Sequence, residues 1–116
     1  MFKIDLEKIK GRISESRSVL NDIAVQSTWD VKYINPAGLS DEELLTAVIY
    51  AYNTLSGERD IYYPITKSRI RKYLGWSNYK ICKIVASIPE VTITTIWDDE
   101  GRLRGKGYVV KSLINN

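Results

Sequence analysis

Two short helical segments separated by only three residues constrain this chain more than any other feature. Thr66 can cap a helix over 67–74 and Ser77 can cap one over 78–88, because their hydroxyl groups can accept backbone N–H groups of the first turn. The linker 75–77 leaves room for a tight turn and nothing longer. The two helices are therefore expected to be direct neighbours in space.

The hydrophobic period changes after Pro89, from that of a helix to the alternation of a β-strand. Residues 91–97 form the first strand of a predicted hairpin. Residues 98–101 are its turn or the start of a longer loop, and the return strand is 108–110 or extends to Leu113. The hairpin therefore follows directly on the second of the two helices.

A further helix is predicted upstream, over 41–55. Ser40 can cap it while Glu43 reaches back to the Ser40 N–H group, which is a capping-box pattern. Residues 61–65 are typical of a short edge strand, because β-branched and aromatic residues are interrupted there by a proline. The order of elements predicts an α+β domain, mainly α, over 40–116.

An amphipathic helix is predicted over 1–27, within an N-terminal helix and linker that cover 1–39. Its apolar side chains follow a heptad spacing with one position missing. They are Phe2, Leu6, Ile9, Ile13, Leu20 and Ile23. This seam is expected to be buried, either against the rest of the chain as a brace or against a second copy in a homodimer, and the sequence leaves both alternatives open.

Histidine is absent and Cys82 is the one cysteine, which excludes several kinds of site. No His-containing zinc site, no Ser-His or Cys-His nucleophile pair and no internal disulfide can form. The carboxylates of Asp98, Asp99 and Glu100 lie on a predicted turn, where neighbouring side chains alternate in direction and are solvated, so they are not expected to form a two-carboxylate acid site. The sequence predicts a non-enzymatic protein without catalytic residues, metal or cofactor, and with Cys82 as a small hydrophobe among core positions.

Charge is distributed unevenly along the chain. Residues 1–58 hold six basic and nine acidic residues, and residues 59–116 hold eleven basic and five acidic ones, so their net charges are −3 and +6. From Lys67 to Lys83 there are six basic residues and no acidic one. A surface that meets phosphate groups has this character, although a solvated basic face shares it.

The longest apolar stretch, 44–52, is far shorter than the roughly 20 residues of a membrane-spanning helix. The first residues carry acidic side chains where a secretory signal has a basic and then an apolar run. We therefore expect a cytoplasmic protein without a membrane partner.

The segment TKSRIRKYLGWSNYKICK, residues 66–83, followed by the hairpin, resembles the winged helix-turn-helix domains of small phage and plasmid proteins. The resemblance covers residues 40–113 and leaves the N-terminal helix outside it. It implies that the helix over 67–74 contacts the DNA backbone and that the helix over 78–88 enters the major groove. It also implies that the hairpin wing, 98–107, touches the backbone or the minor groove.

Candidate DNA contacts in these two helices are the residues left on their polar faces. Lys67 and Ser68 begin the first helix, where a cation and free N–H groups together suit a phosphate. In the second helix Asn78 can bond an adenine edge, and lysines can bond guanine acceptors. The predicted contacts are Lys67, Ser68, Arg69, Arg71, Ser77, Asn78, Tyr79, Lys80 and Lys83.

Lys80 and Lys83 are the strongest of these candidates, because no acidic residue is near them in the sequence. Three others have a plain structural alternative. Asn78 can be an ordinary first-turn residue, Tyr79 a packing aromatic and Arg71 a solubilising surface residue.

The hairpin tip adds three cations, Arg102, Arg104 and Lys106. Their alternation predicts that they share one side of the ribbon, and the intervening glycines would permit close approach of a ligand. The acidic residues 98–100 could instead pair with the arginines. Exposed pairs of that kind contribute at most about 1 kcal/mol, so a phosphate group could displace them.

The predicted function is non-enzymatic binding of double-stranded DNA by a homodimer. The resemblance implies a transcriptional regulator, or an accessory factor in replication, partition or transfer of a mobile element. The alternative is a protein-binding winged helix that acts as a phage-encoded inhibitor of a host complex.

Overall fold

Helix α2, Asp41–Asn53, carries much of the core in the computed structural model, which describes residues 4–14 and 33–114. Ser40 Oγ accepts the Glu43 N–H group at 3.1 Å, and Glu43 Oε1 accepts the Ser40 N–H group at 2.9 Å. The predicted capping box is therefore confirmed, and the helix ends two residues earlier than expected. Its buried apolar side chains are Leu45, Ala47, Val48, Ile49 and Ala51.

A short helix and a strand pair precede α2. Helix α1 is Leu6–Gly11, strand β1 is Ile13–Ser14 and strand β2 is Tyr33–Ile34. The two strands are antiparallel, with Ile13 opposite Ile34. The prediction of one continuous helix over 1–27 is therefore wrong where the structure describes it, and residues 15–27 lie outside the described part.

Helix α1 ends at Gly11, and from Arg12 onwards the backbone bonds to a distant segment of the chain. The Asn35 N–H group donates to the Arg12 carbonyl oxygen at 2.9 Å, and the Arg12 guanidinium donates to the Ala37 carbonyl oxygen. Gly11 weakens the helix by about 1 kcal/mol relative to alanine. These long-range contacts therefore end the helix where its local propensity is lowest.

The N-terminal apolar seam packs within the chain wherever it is described. Ile9 is fully buried, and Leu6 and Ile13 are partly buried against the same core. These three residues therefore follow the first of the two alternatives, in which the helix is a brace packed against its own chain. The other predicted seam residues, Phe2, Leu20 and Ile23, lie outside the described residues, and the homodimer stays a prediction.

Helices α3, Lys67–Leu74, and α4, Asn78–Val85, follow as expected from their caps. Thr66 Oγ1 accepts the Arg69 N–H group at 3.2 Å and Ser77 Oγ accepts the Lys80 N–H group at 3.1 Å, so both predicted N-caps are confirmed. Gly75 ends α3 in the left-handed conformation, with φ of 72°, which glycine adopts without strain.

Helix α4 is three residues shorter than the predicted 78–88. The N–H groups of Ser87 and Ile88 donate to the carbonyl oxygens of Ile84 and Val85, three residues back, and the Ser87 hydroxyl also donates to Ile84 at 2.7 Å. These tighter bonds replace the last α-helical turn. The side chain of Ile88 is still buried, as the apolar spacing predicted.

The chain closes with a β-hairpin of strand β3, Val91–Trp97, and strand β4, Leu103–Val110. Ile65 adds a single antiparallel bridge to Tyr108, with N–H to O distances of 3.1 and 2.8 Å. The predicted strand over 61–65 is reduced to this bridge. A short 3-10 helix, Lys111–Leu113, follows β4.

The described residues thus form an α+β fold, which confirms that part of the predicted class; the winged-helix arrangement stays a prediction. None of their helices has the length and apolar character that crossing a lipid bilayer requires.

Candidate nucleic-acid interface

One side of α4 is exposed along its whole length. Tyr79, Cys82, Lys83 and Ala86 are spaced i, i+3, i+4 and i+7, so they form a single stripe, and all four are exposed. The Tyr79 side chain is 75% exposed, whereas Ile81 on the opposite side is fully buried. We call these four residues the α4 stripe.

Cys82 belongs to this exposed stripe, so its prediction as a residue among core positions is wrong. The helical period contained the signal, because Cys82 lies three residues after Tyr79 and directly follows the inward-facing Ile81. The prediction followed the ordinary preference of cysteine for burial instead of its position on the helix.

Lys67, at the start of α3, interacts with side chains of two further elements, one of which is in the α4 stripe. Its pKa is raised, first by a hydrogen bond to Cys82 and then by its closeness to the Tyr108 hydroxyl. Burial raises the pKa of Tyr108, and the Lys67 ammonium partly offsets that effect. Lys67 therefore interacts electrostatically with one side chain of α4 and one of β4.

Ser68 and Arg71 extend the cationic side of α3. Both are exposed, and Arg71 lies one helical turn after Lys67 on the same side of the helix. The first turn of α3 contains no acidic residue. The start of α3 therefore presents positive charge beside the α4 stripe.

Lys106 lies on the ribbon face that meets the helices. Side chains two apart on a strand share a face, so Lys106 is on the same side as Tyr108, and its cross-strand partner is Thr95. Ile93, opposite Tyr108, is on this face too and is 55% exposed. This face of the hairpin therefore carries Lys106 and the exposed apolar side chain of Ile93.

Arg104 breaks the alternation predicted for the hairpin cations. Ile96 is opposite Gly105 and Trp97 is opposite Leu103, so Arg104 is the extra residue of a β-bulge. It is exposed. Because a bulge redirects the chain, Arg102, Arg104 and Lys106 do not share one side of the ribbon as predicted. Lys106 keeps its place on that side, and Arg104 lies beside it at the bulge.

Arg102 is engaged within the hairpin turn. Its Nε donates to Asp98 Oδ2 at 3.2 Å, and its guanidinium also pairs with Glu100. The pKa of Asp98 is lowered, chiefly because its carboxylate accepts the Arg102 backbone N–H group. Asp98 therefore organises the turn, and the paired alternative weighed for Arg102 is the arrangement observed.

Lys80 faces away from the α4 stripe. Its ammonium lies 3.3 Å from Asp41 Oδ2, at the start of α2, and 4.3 Å from the centre of the Trp76 ring. The expectation that nothing acidic is near Lys80 is wrong, because Asp41 is distant only in sequence. Lys83, by contrast, is exposed and lies 6.0 Å from the Tyr79 ring centre.

Arg69 points along the other side of α3. Its guanidinium donates to Tyr73 Oη at 3.4 Å and lies 5.4 Å from the centre of the Tyr52 ring. Hydrogen bonding to Tyr73 is the first cause of its raised pKa. Arg69 is therefore not brought together with the α4 stripe.

The two remaining predicted contacts lie at the start of α4. The Ser77 hydroxyl is used as the N-cap, and Asn78 is exposed in the first turn. Asn78 is therefore the freer of the two to meet a ligand.

The hairpin glycines differ in what surrounds them. A Cβ atom built on Gly107 would lie 2.8 Å from Pro64 Cβ and 3.2 Å from the Ile65 carbonyl oxygen. Gly107 therefore admits close packing inside the protein, and its predicted use for a ligand is wrong. Gly105, with φ of 144°, serves the bulge conformation.

Within residues 4–14 and 33–114, no three His, Cys, Asp or Glu side chains are grouped so that they could hold a metal ion. Comparison with protein-family models, curated proteins and solved structures found no match to this chain.

Proposed function

We propose that this protein is a winged helix-turn-helix domain that binds double-stranded DNA without catalysing a reaction. One observation carries the proposal: the α4 stripe is exposed along the helix and includes Lys83, and Lys67 at the start of the neighbouring helix α3 interacts with Cys82 of the stripe. Together with Lys106 on the hairpin, these cations would form one surface for one ligand. The resemblance of residues 66–83 to this family supports the same assignment.

The dimensions of α4 suit the major groove of a duplex. An α-helix with its side chains is about 10–12 Å in diameter, and the major groove is about 12 Å wide. The α4 stripe would face the bases while Lys67 and Ser68 contact the phosphate backbone. Lys106 and Arg104 would contact the adjacent backbone or the minor groove.

A salt titration of duplex binding tests the proposal. A random-sequence duplex carrying a fluorophore should bind in an anisotropy assay, and the logarithm of affinity should fall linearly with the logarithm of salt concentration. Lys106→Ala should weaken binding and make that slope shallower by about one. Lys111→Ala, just beyond the far end of the same strand, is the matched control and should change neither quantity.

We also propose that the protein binds a repeated DNA site as a homodimer. Sedimentation of the protein alone and with a duplex measures the number of copies directly. A single copy at every concentration, with and without DNA, would overturn the dimer and leave the duplex proposal intact. The process served would be transcriptional regulation, or replication, partition or transfer of a mobile element.

A protein-binding role is the second candidate, favoured by the apolar side chains that the hairpin exposes. Trp97 and Leu103 are cross-strand partners that are 60% and 63% exposed, and Ile93 is 55% exposed. Exposed apolar groups of this kind can mark a protein contact. Absence of salt-dependent duplex binding would favour this role, an inhibitor that docks on a host complex, over the first.

A further inference from the structure

Three of the four residues in the α4 stripe are uncharged and present carbon or sulfur. Tyr79, Cys82 and Ala86 offer an aromatic ring, a thiol and a methyl group in one line, with Lys83 beside them. Such a surface makes few directional hydrogen bonds. It gains free energy mainly by covering apolar groups of a ligand.

The polar groups of α4 that could read bases by hydrogen bonding are largely used elsewhere. Lys80 pairs with Asp41, and the Ser77 hydroxyl accepts the Lys80 N–H group. Asn78, Lys83 and the hydroxyl group of Tyr79 are the polar groups of α4 that remain exposed at or near the stripe. Of these, Asn78 has the donor and acceptor pair that matches an adenine edge.

Among the four bases, thymine alone places an apolar group, its C5-methyl, in the major groove. We infer that the stripe of Tyr79, Cys82 and Ala86 recognises thymine methyl groups, so that the protein selects sites rich in A·T pairs. Asn78 would read an adenine in the same type of base pair. This inference rests on the proposed function and adds the class of base that is recognised.

Charge around the stripe favours a nucleic acid over a protein as the occupant. Lys67 interacts electrostatically with Cys82, Lys83 is part of the stripe and Lys106 shares a face of β4 with Tyr108. Asp41 pairs with Lys80 on the side of α4 away from the stripe, and the Glu90 carboxylate, which follows α4 in the sequence, accepts the Ile4 N–H group. An apolar line bordered by cations complements thymine methyls bordered by phosphates.

Replacement of thymine by uracil tests the inference, because uracil differs only by the missing methyl group. A duplex selected from a random library is bound by the full chain and then remade with uracil at one thymine at a time. We expect affinity to fall about fourfold for each contacted methyl group. The minor groove is unchanged by this substitution, so contacts of the hairpin there contribute nothing to the difference.

A stripe variant locates the effect on the protein. Cys82→Ser combined with Ala86→Ser makes the stripe polar at two exposed positions, and the ratio of thymine to uracil affinity should fall towards one. Lys106→Ala is the matched control, since it should weaken both duplexes by the same factor and leave the ratio unchanged. A double variant that keeps the wild-type ratio would overturn the assignment to this stripe.

The results separate this inference from the proposed function. Equal affinity of the wild-type protein for thymine and uracil duplexes, with salt-dependent binding of both, would overturn thymine recognition and leave duplex binding standing. Failure to bind any duplex in a salt-dependent manner would overturn both.

Discussion

The side-chain amide of Asn53 donates to the carbonyl oxygen of Tyr108 at 3.2 Å, which joins the last turn of α2 to the strand that carries the proposed DNA-binding hairpin. The same amide donates to the Tyr63 carbonyl oxygen at 2.7 Å, and Asn53 Oδ1 accepts the Val110 N–H group at 3.0 Å. Asn53 is fully buried. One side chain therefore fixes the hairpin relative to the helices.

Replacement of Asn53 by alanine should lower the free energy of unfolding by about 3 kcal/mol or more, because three buried hydrogen bonds of about 1 kcal/mol each are lost. Urea denaturation followed by circular dichroism measures the change. Asn78→Ala, at an exposed position, is the matched control and should stay within about 0.5 kcal/mol of the wild type. Equal effects of the two substitutions would contradict the role of Asn53.

Gly107→Ala should destabilise the protein by about 1–3 kcal/mol, because the added methyl group would collide with Pro64 and the Ile65 carbonyl oxygen. Gly11→Ala is the opposite case, since among the described residues no tertiary neighbour lies within 4 Å of the place its Cβ would take. That substitution should stabilise α1 by up to about 1 kcal/mol. Thermal melting of both variants checks whether one melts below and the other above the wild type.

Lys83→Ala and Lys80→Ala remove the same charge from the same helix and should have different effects. Lys83 is on the α4 stripe, so its loss should weaken duplex binding about fivefold or more and make the salt slope shallower by about one. Lys80 is held by Asp41 and Trp76, so its loss should leave affinity within about twofold. A larger loss of affinity for Lys80→Ala than for Lys83→Ala would mean that the DNA contacts the Lys80 side of α4, which would contradict the proposed interface.

Glu43 should contribute stability that depends on pH. Its pKa is lowered from 4.5, first by the Ser40 backbone N–H group and then by Lys8, so the folded state prefers the charged form. That stability is present above the ordinary pKa of 4.5 and is lost as pH falls through the lowered value.

Glu43→Gln removes the titrating group while keeping an oxygen that can accept the Ser40 N–H group. The wild type should be the more stable protein at neutral pH, and the difference should shrink as the solution is acidified below 4.5. Urea denaturation across that range measures it. A difference that is constant with pH would contradict the role of the Glu43 carboxylate.

Local patterns in the sequence were sufficient for the elements around the candidate site. Both ends of α3 agree with prediction, because Thr66 and Gly75 act on backbone groups within a few residues. Strand β3 agrees as well, since its alternation is a local signal. Helix α1 was predicted too long because its end depends on Asn35, which is far away in the sequence.

The sequence was a better guide to which residues belong to the candidate site than to where their side chains lie. Lys67, Lys83 and Lys106 are predicted from charge and from their helix or strand face; in the structure Lys83 and Lys106 are exposed and Lys67 interacts with Cys82 of the α4 stripe. Lys80 was misplaced because its acidic partner, Asp41, belongs to another helix. Cys82 was misplaced because residue type was weighed above helical position.

By itself the sequence determined the α+β class, the helix caps and the basic character of the second half of the chain. These follow from hydrogen bonds and periodicities that span only a few residues. Only the tertiary structure decided which basic residues have an acidic partner and which face of α4 is exposed. It also decided that a side chain larger than that of glycine would collide with its neighbours at position 107. Each of those depends on atoms that meet only when distant segments pack, as Asn53 and Tyr108 do.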